Sequence, residues 1–141
     1  MSATHFSGPI ILGSGSVETI DGATTLTATD VGKTFFLDAA AGATVTLPPL
    51  QAGAVVKFVV ASTFATSNWV LASSEGDNIN GFVHNIADGA IVAGAEDQIN
   101  LVASAESVGD YYVFTADTAN SQWIVSGQSV TTGATTATDP A

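Results

Sequence analysis

No window of this sequence long enough for three helical turns escapes interruption by Thr, Val or Gly, and the strong helix formers Leu, Lys, Arg, Glu and Gln are scarce. Such a chain is predicted to fold from strands. The clearest is Ala43-Thr44-Val45-Thr46-Leu47, where Ala43, Val45 and Leu47 face one side and the threonines the other. Pro48 and Pro49 then stop it. Residues 54–61 are apolar at both parities apart from Lys57, which predicts a central strand covered on each face. Further strands are expected at 33–37, 69–72, 81–86, 90–92, 98–103, 110–116 and 122–126, with the last two forming a hairpin.

Eight or nine short strands in 141 residues predict one all-β domain: a β-sandwich, jelly-roll-like fold or small barrel, with an extended N-terminal arm. No internal repeat stands out. Residues 1–29 read as that arm, with a possible first strand at 10–12, and residues 30–126 as the core domain. Residues 127–141, rich in Thr, Ala and Gly, read as a flexible tail.

Charge narrows the partners. Thirteen Asp and Glu face only Lys33 and Lys57, with no Arg, for a net charge of −11. Nucleic-acid backbones and anionic membranes are therefore disfavoured, because both are held by clustered Lys and Arg. No apolar stretch has the length of a membrane span, and the first sixteen residues lack the pattern of a secretion signal. With no Cys there is no disulfide or thiolate chemistry.

Catalytic patterns are equally sparse. His5 lies in the arm and His84 in an alternating run, no Gly-x-Ser-x-Gly elbow occurs, and the acids are scattered singly except for Glu96-Asp97. Neighbouring strand residues point to opposite faces, so that pair cannot act together on one substrate. Glu75, Asp77, Asn78 and Asn80 crowd one loop, but Ile79 occupies a position where an EF-hand needs Asp or Asn. A polar turn is the favoured reading there over Ca²⁺, and no metal, cofactor or enzymatic activity is expected. Trp69, Tyr111, Tyr112 and Trp123 could stack on sugars, but their alternation with Leu71, Val113 and Val125 favours packing.

Three stretches together resemble small structural proteins of tailed bacteriophages, in particular capsid decoration (cement) proteins, with related patterns in fibre and knob domains. They are Thr4-His5-Phe6-Ser7-Gly8-Pro9-Ile10, the run from Gly32 through Phe35-Phe36-Leu37 to the Leu47-Pro48 turn and Ala52-Gly53, and Gly109-Asp110-Tyr111-Tyr112-Val113 followed by Trp123-Ile124-Val125-Ser126-Gly127-Gln128. The resemblance implies a β-rich homotrimer on the outer surface of an icosahedral head, bridging major capsid subunits. By the same analogy the arm makes the capsid contact, with His5, Phe6, Pro9 and Ile10 as anchors, and the Gly109-Asp110 and Asn120-Ser121 tips are alternative contact loops. The other role implied is a fibre or spike knob that binds host glycan or protein through Trp69 or Tyr111.

Overall fold

The computed structural model describes residues 16–76 and 78–140. They form an all-β fold, with 49% of the chain in strands, as two mixed sheets packed into a β-sandwich. The strands are β1 (Val17–Ile20), β2 (Thr24–Thr25), β3 (Thr34–Leu37), β4 (Thr44–Thr46), β5 (Val55–Val60) and β6 (Trp69–Ala72), then β7 (Ile79–Asn85), β8 (Gly89–Glu96), β9 (Gln98–Leu101), β10 (Tyr111–Asp117), β11 (Gln122–Ser129) and β12 (Thr135–Thr138). One sheet runs β1-β3-β5-β10-β11-β7-β8 and the other β12-β9-β6-β4-β2. Among the described residues both sheets keep open edges, so the strands form a sandwich rather than a closed barrel.

The first six strands alternate between the sheets, and within each sheet they are parallel neighbours. The chain therefore winds three times around one core, each coil contributing a strand to either side. Hydrogen bonding continues through the corners: Asp38 N donates to Ile20 O and Ala61 N to Leu37 O, both at 3.0 Å, while Leu26 N reaches Thr46 O at 2.9 Å. In-register stacking places Ile20, Leu37 and Val60 in one buried column, and Val45, Leu71 and Ile99 in another. Such columns let β-branched and Leu side chains bury their full apolar area, about 2 kcal/mol apiece. Phe35 and Phe58 stack at 5.7 Å, and Phe58 meets Phe114 edge-on at 5.9 Å, tying β3, β5 and β10 through their inner faces.

The second half returns antiparallel. β10 pairs with β5 and then with β11, in the hairpin expected from sequence, across a 3-10 turn at Thr118–Asn120. β7 joins β11 in parallel, and β8 folds back on β7 as the outermost strand.

Three expectations need correction. β1 and β2, which fall within the stretch assigned to the arm, are strands paired with β3 and β4; residues 1–15, including the suggested strand at 10–12, lie outside the described residues. Residues 127–141 are not a free tail: β11 runs to Ser129, β12 pairs with β9, and Ala134 and Thr135 are buried. The reason is a polar cluster at the sandwich interior. Tyr112 Oη bonds Thr135 Oγ1 at 2.7 Å, Thr135 Oγ1 donates to Ser129 Oγ at 3.0 Å, and Asn85 Nδ2 donates to the same hydroxyl at 3.0 Å. Finally, among the described residues β5 is packed against a second layer on one face only. Val56, Phe58 and Val60 are buried, whereas Val55 is exposed and Lys57 and Val59 half-buried.

Candidate interaction face

The outward side of β5 makes the outer face of the seven-stranded sheet a candidate interaction surface. Side chains alternate along a strand, so the buried set on each strand of the seven-stranded sheet fixes which residues face out. Strand register then arranges them in rows. One row reads Thr19, Phe36, Val59, Tyr111, Gln128, His84 and Ala90. A second contains Val17, Thr34, Lys57, Val113 and Ser126, and a third Val55, Thr115, Ile124, Asn80 and Gly94. Phe82 and Val92, opposite one another on β7 and β8, complete the outward set at 59% and 68% exposure.

None of the thirteen acids stands in these rows. In a chain of net charge −11 the outer sheet face is close to neutral: Lys57 lies on it with its Nζ 5.3 Å from the centre of the Tyr111 ring, and Asp117 shares its parity at the end of β10. Lys33, by contrast, is held by Glu18 at 2.9 Å and Asp30 at 3.1 Å. Glu18 lies within the edge strand β1 at the opposite parity, and the remaining described acids of this sheet stand at strand ends or turns. Asp117 closes the β10–β11 hairpin, where bonds from Gln122 and then Asn120 hold its carboxyl below the ordinary range. Asp88 lies at the β7–β8 turn and accepts the Gly133 N–H at 2.7 Å. An apolar centre with a polar or charged rim is the composition of a protein-binding surface.

The opposite face of the sandwich differs. Thr44, Thr46, Val70, Ala72, Gln98, Asn100, Thr136 and Thr138 face out from the five-stranded sheet. Its amides are satisfied internally: Gln98 Nε2 donates to Asn100 Oδ1 at 2.7 Å, and Asn100 Nδ2 donates to Thr138 Oγ1 at 2.9 Å. Little apolar area there gains from being covered.

The residues singled out from sequence fall differently. His5, Phe6, Pro9 and Ile10 lie outside the described residues. Trp69 and Trp123 are fully buried, as the packing reading expects, and so is Tyr112, whose hydroxyl is pushed well above its ordinary pKa by burial. Trp69 is thus unavailable as a stacking platform, and Tyr111 alone of the four aromatics reaches the surface. Asp77 is outside the described residues; around it Glu75 Oε1 accepts the Leu50 N–H at 2.9 Å and buried Asn78 accepts the Ser73 hydroxyl, consistent with a polar turn. The Gly109-Asp110 tip turns its carboxylate inward, while Asn120 and Ser121 are exposed. Among the described residues no group of three or more His, Asp and Glu is placed to hold a metal ion.

Of the exposed apolar residues on the outer face of the seven-stranded sheet, the sequence points to Tyr111 alone as a contact; Phe82, Val92 and Ile124 were not identified as a surface from the sequence. The available signal was apolar occupancy at both parities, in 54–61 and again in Ala90-Ile91-Val92-Ala93, which describes two buried faces and one unpartnered apolar face equally well. No protein-family model, curated protein or solved structure matches the chain.

Proposed function

We propose that this chain is a structural virion protein that binds the outer surface of an icosahedral phage head and stabilises it by bridging major capsid subunits. The observation that carries the reading is the outer face of the seven-stranded sheet, whose rows carry exposed Phe82, Val92, Ile124 and Tyr111 and whose outward acid, Asp117, stands only at its hairpin end, in an otherwise strongly acidic molecule. The resemblance of its turn and strand motifs to decoration proteins supplies the class of partner. Mutual repulsion among copies at −11 each means that a homotrimer, part of this proposal, is held by apolar burial and neutral hydrogen bonds, and added salt does not dissolve it. Many modest contacts on a lattice still hold firmly, because each one makes the next intramolecular.

The proposed anchors His5, Phe6, Pro9 and Ile10 add a second contact to the sheet face. Incubation with heads of the cognate phage assembled without this protein tests the reading. Co-sedimentation with the heads and raised resistance of the shell to heat are expected; neither binding nor added resistance overturns it. Deleting residues 1–12 is expected to weaken attachment while circular dichroism stays that of a folded β protein.

A second reading, a fibre or spike knob that binds host glycan, rests on Tyr111, whose ring is exposed at the surface beneath Lys57. Strong glycan-array hits lost in Tyr111→Ala would favour it over the capsid.

A further inference from the structure

Lys33 and Lys57 are the cationic side chains available to balance thirteen acids, and the fold treats them in opposite ways. Lys33 is bracketed by Glu18 at 2.9 Å and Asp30 at 3.1 Å, and these are the ion pairs among the described residues. Lys57 has none among them. Its partners across the ladder are Thr34 on β3 and Val113 on β10, which point outward with it. On one side of it along the strands Val59 stands opposite Tyr111, and on the other Val55 stands opposite Thr115. Lys57 is thus set among neutral neighbours, with the Tyr111 ring as its one electrostatic contact there.

A lysine lays its stem on apolar surface and keeps its ammonium in water. A partner seated on this face removes that water. An ammonium desolvated without an anion costs more than an aromatic ring returns, and neutral carbonyls satisfy its hydrogens but not its charge. The partner must therefore leave Lys57 at the rim or bring the missing charge. β5 is the third of seven strands, so a contact that reaches both exposed Val17 on β1 and exposed Phe82 on β7 encloses it.

We propose that Lys57 is the carboxylate-recognition point of the outer sheet face, and that the capsid protein docked there presents an Asp or Glu side chain to its Nζ within an apolar surround. The inference rests on the reading of this face as a protein contact. One carboxylate matches one ammonium, and the charge-assisted bond formed in the desolvated contact is of the strong kind. It also fixes orientation. The rest of this molecule repels an acidic partner, so a carboxylate finds its attractive point on this face at Lys57 and sets the register of docking.

Titration of the full chain onto heads assembled without it tests the proposal. Lys57→Met and Lys57→Gln remove the charge and keep a stem, whereas Lys57→Arg keeps the charge. All three lie on the solvent side of β5 and are expected to leave the denaturant midpoint in place. Affinity is expected to fall at least about tenfold in Lys57→Met and Lys57→Gln, because the partner's carboxylate is then buried unpaired, and to stay close to the parent's in Lys57→Arg. A parent that binds while the Met and Gln variants bind equally well or more tightly overturns this proposal and leaves the reading of the face standing, since removing an unpaired ammonium only relieves its desolvation. A parent that does not bind overturns both. Dependence on Lys57 seen only with acidic glycans on an array, or only in the sedimentation mass of the free protein, also overturns it and assigns the contact to a sugar carboxylate or to a second copy.

Discussion

Phe82 on β7 and Val92 on β8 stand directly opposite each other and both are more than half exposed, so the outermost hairpin of the larger sheet presents an apolar cross-strand pair to solvent. Such pairs normally stabilise a sheet from its buried face. Here the inward neighbours, Val83 and Ala93, already do that. Replacing Phe82 and Val92 together by Ser is therefore expected to change the unfolding free energy by no more than about 1 kcal/mol, because little buried area is lost. Affinity for heads is expected to drop at least about tenfold if the pair sits at the centre of the contact. Denaturant titration beside co-sedimentation separates the two effects, and unchanged binding would move the contact off this hairpin.

The hairpin is attached to the rest of the sheet through a tight approach at Gly81. Its φ is +114°, and a Cβ there would collide with the Val125 carbonyl oxygen on β11. Gly81→Ala thus combines backbone strain with a forced separation of β7 from β11, and is expected to cost about 2 kcal/mol or more. Hydrogen exchange should locate the damage. Amides of β7 and β8 are expected to lose protection while those of β3, β5 and β10 keep it.

Much of the fold was legible in the sequence because it depends on local signals. Alternation at 43–47, the Pro48-Pro49 stop and the turn residues before each run placed nine strands near their positions, and the β10–β11 hairpin followed from its flanking apolar runs. The three coils of β1 to β6 were not legible as a repeat. The coils differ in length, starting at Val17, Thr34 and Val55, and what repeats is one inward column, Ile20, Leu37 and Val60, among outward residues of unrelated chemistry. Parallel pairing at that separation has no local signature. The interaction face was hidden for a related reason: Val55 and Val59 look the same in sequence whether a second layer covers them or not. Asp110 was unremarkable as an isolated acid, since its burial depends on how the chain closes on Val60 and Ser107.

Acid stability should depend on the β10–β11 turn. Gln122 and Asn120 donate to Asp117 and hold its carboxyl below the ordinary value of 3.8. The ionised form is favoured by folding, so this stabilisation is fully present above the unfolded value and is lost as the pH falls through the lower folded one. Asp30 behaves in the same direction: burial alone would raise it, but the Thr27 amide and Lys33 together outweigh that. Melting temperatures of Asp117→Asn followed from about pH 5 down to about pH 2 are expected to fall less steeply than those of the parent. Parallel curves would mean the hairpin turn opens before the acid titrates.

The C-terminal strand offers the sharpest check on the fold itself. Tyr112, on the central strand β10, reaches across the sandwich to Thr135 at 2.7 Å, and Thr135 and Asn85 share the Ser129 hydroxyl. Removing one hydroxyl from a buried chain of this kind leaves the next group without its partner, a loss of about 1 to 2 kcal/mol. Tyr112→Phe, which keeps the ring in the core, is expected to show that loss in denaturant midpoint with an unchanged slope. Truncation after Ser129 is expected to cost more, because it exposes the edge of β9 and uncovers Leu101 along with the polar cluster. If residues 130–140 were instead a loosely attached tail, both changes would leave the midpoint in place, and the five-stranded sheet would have to end at β9.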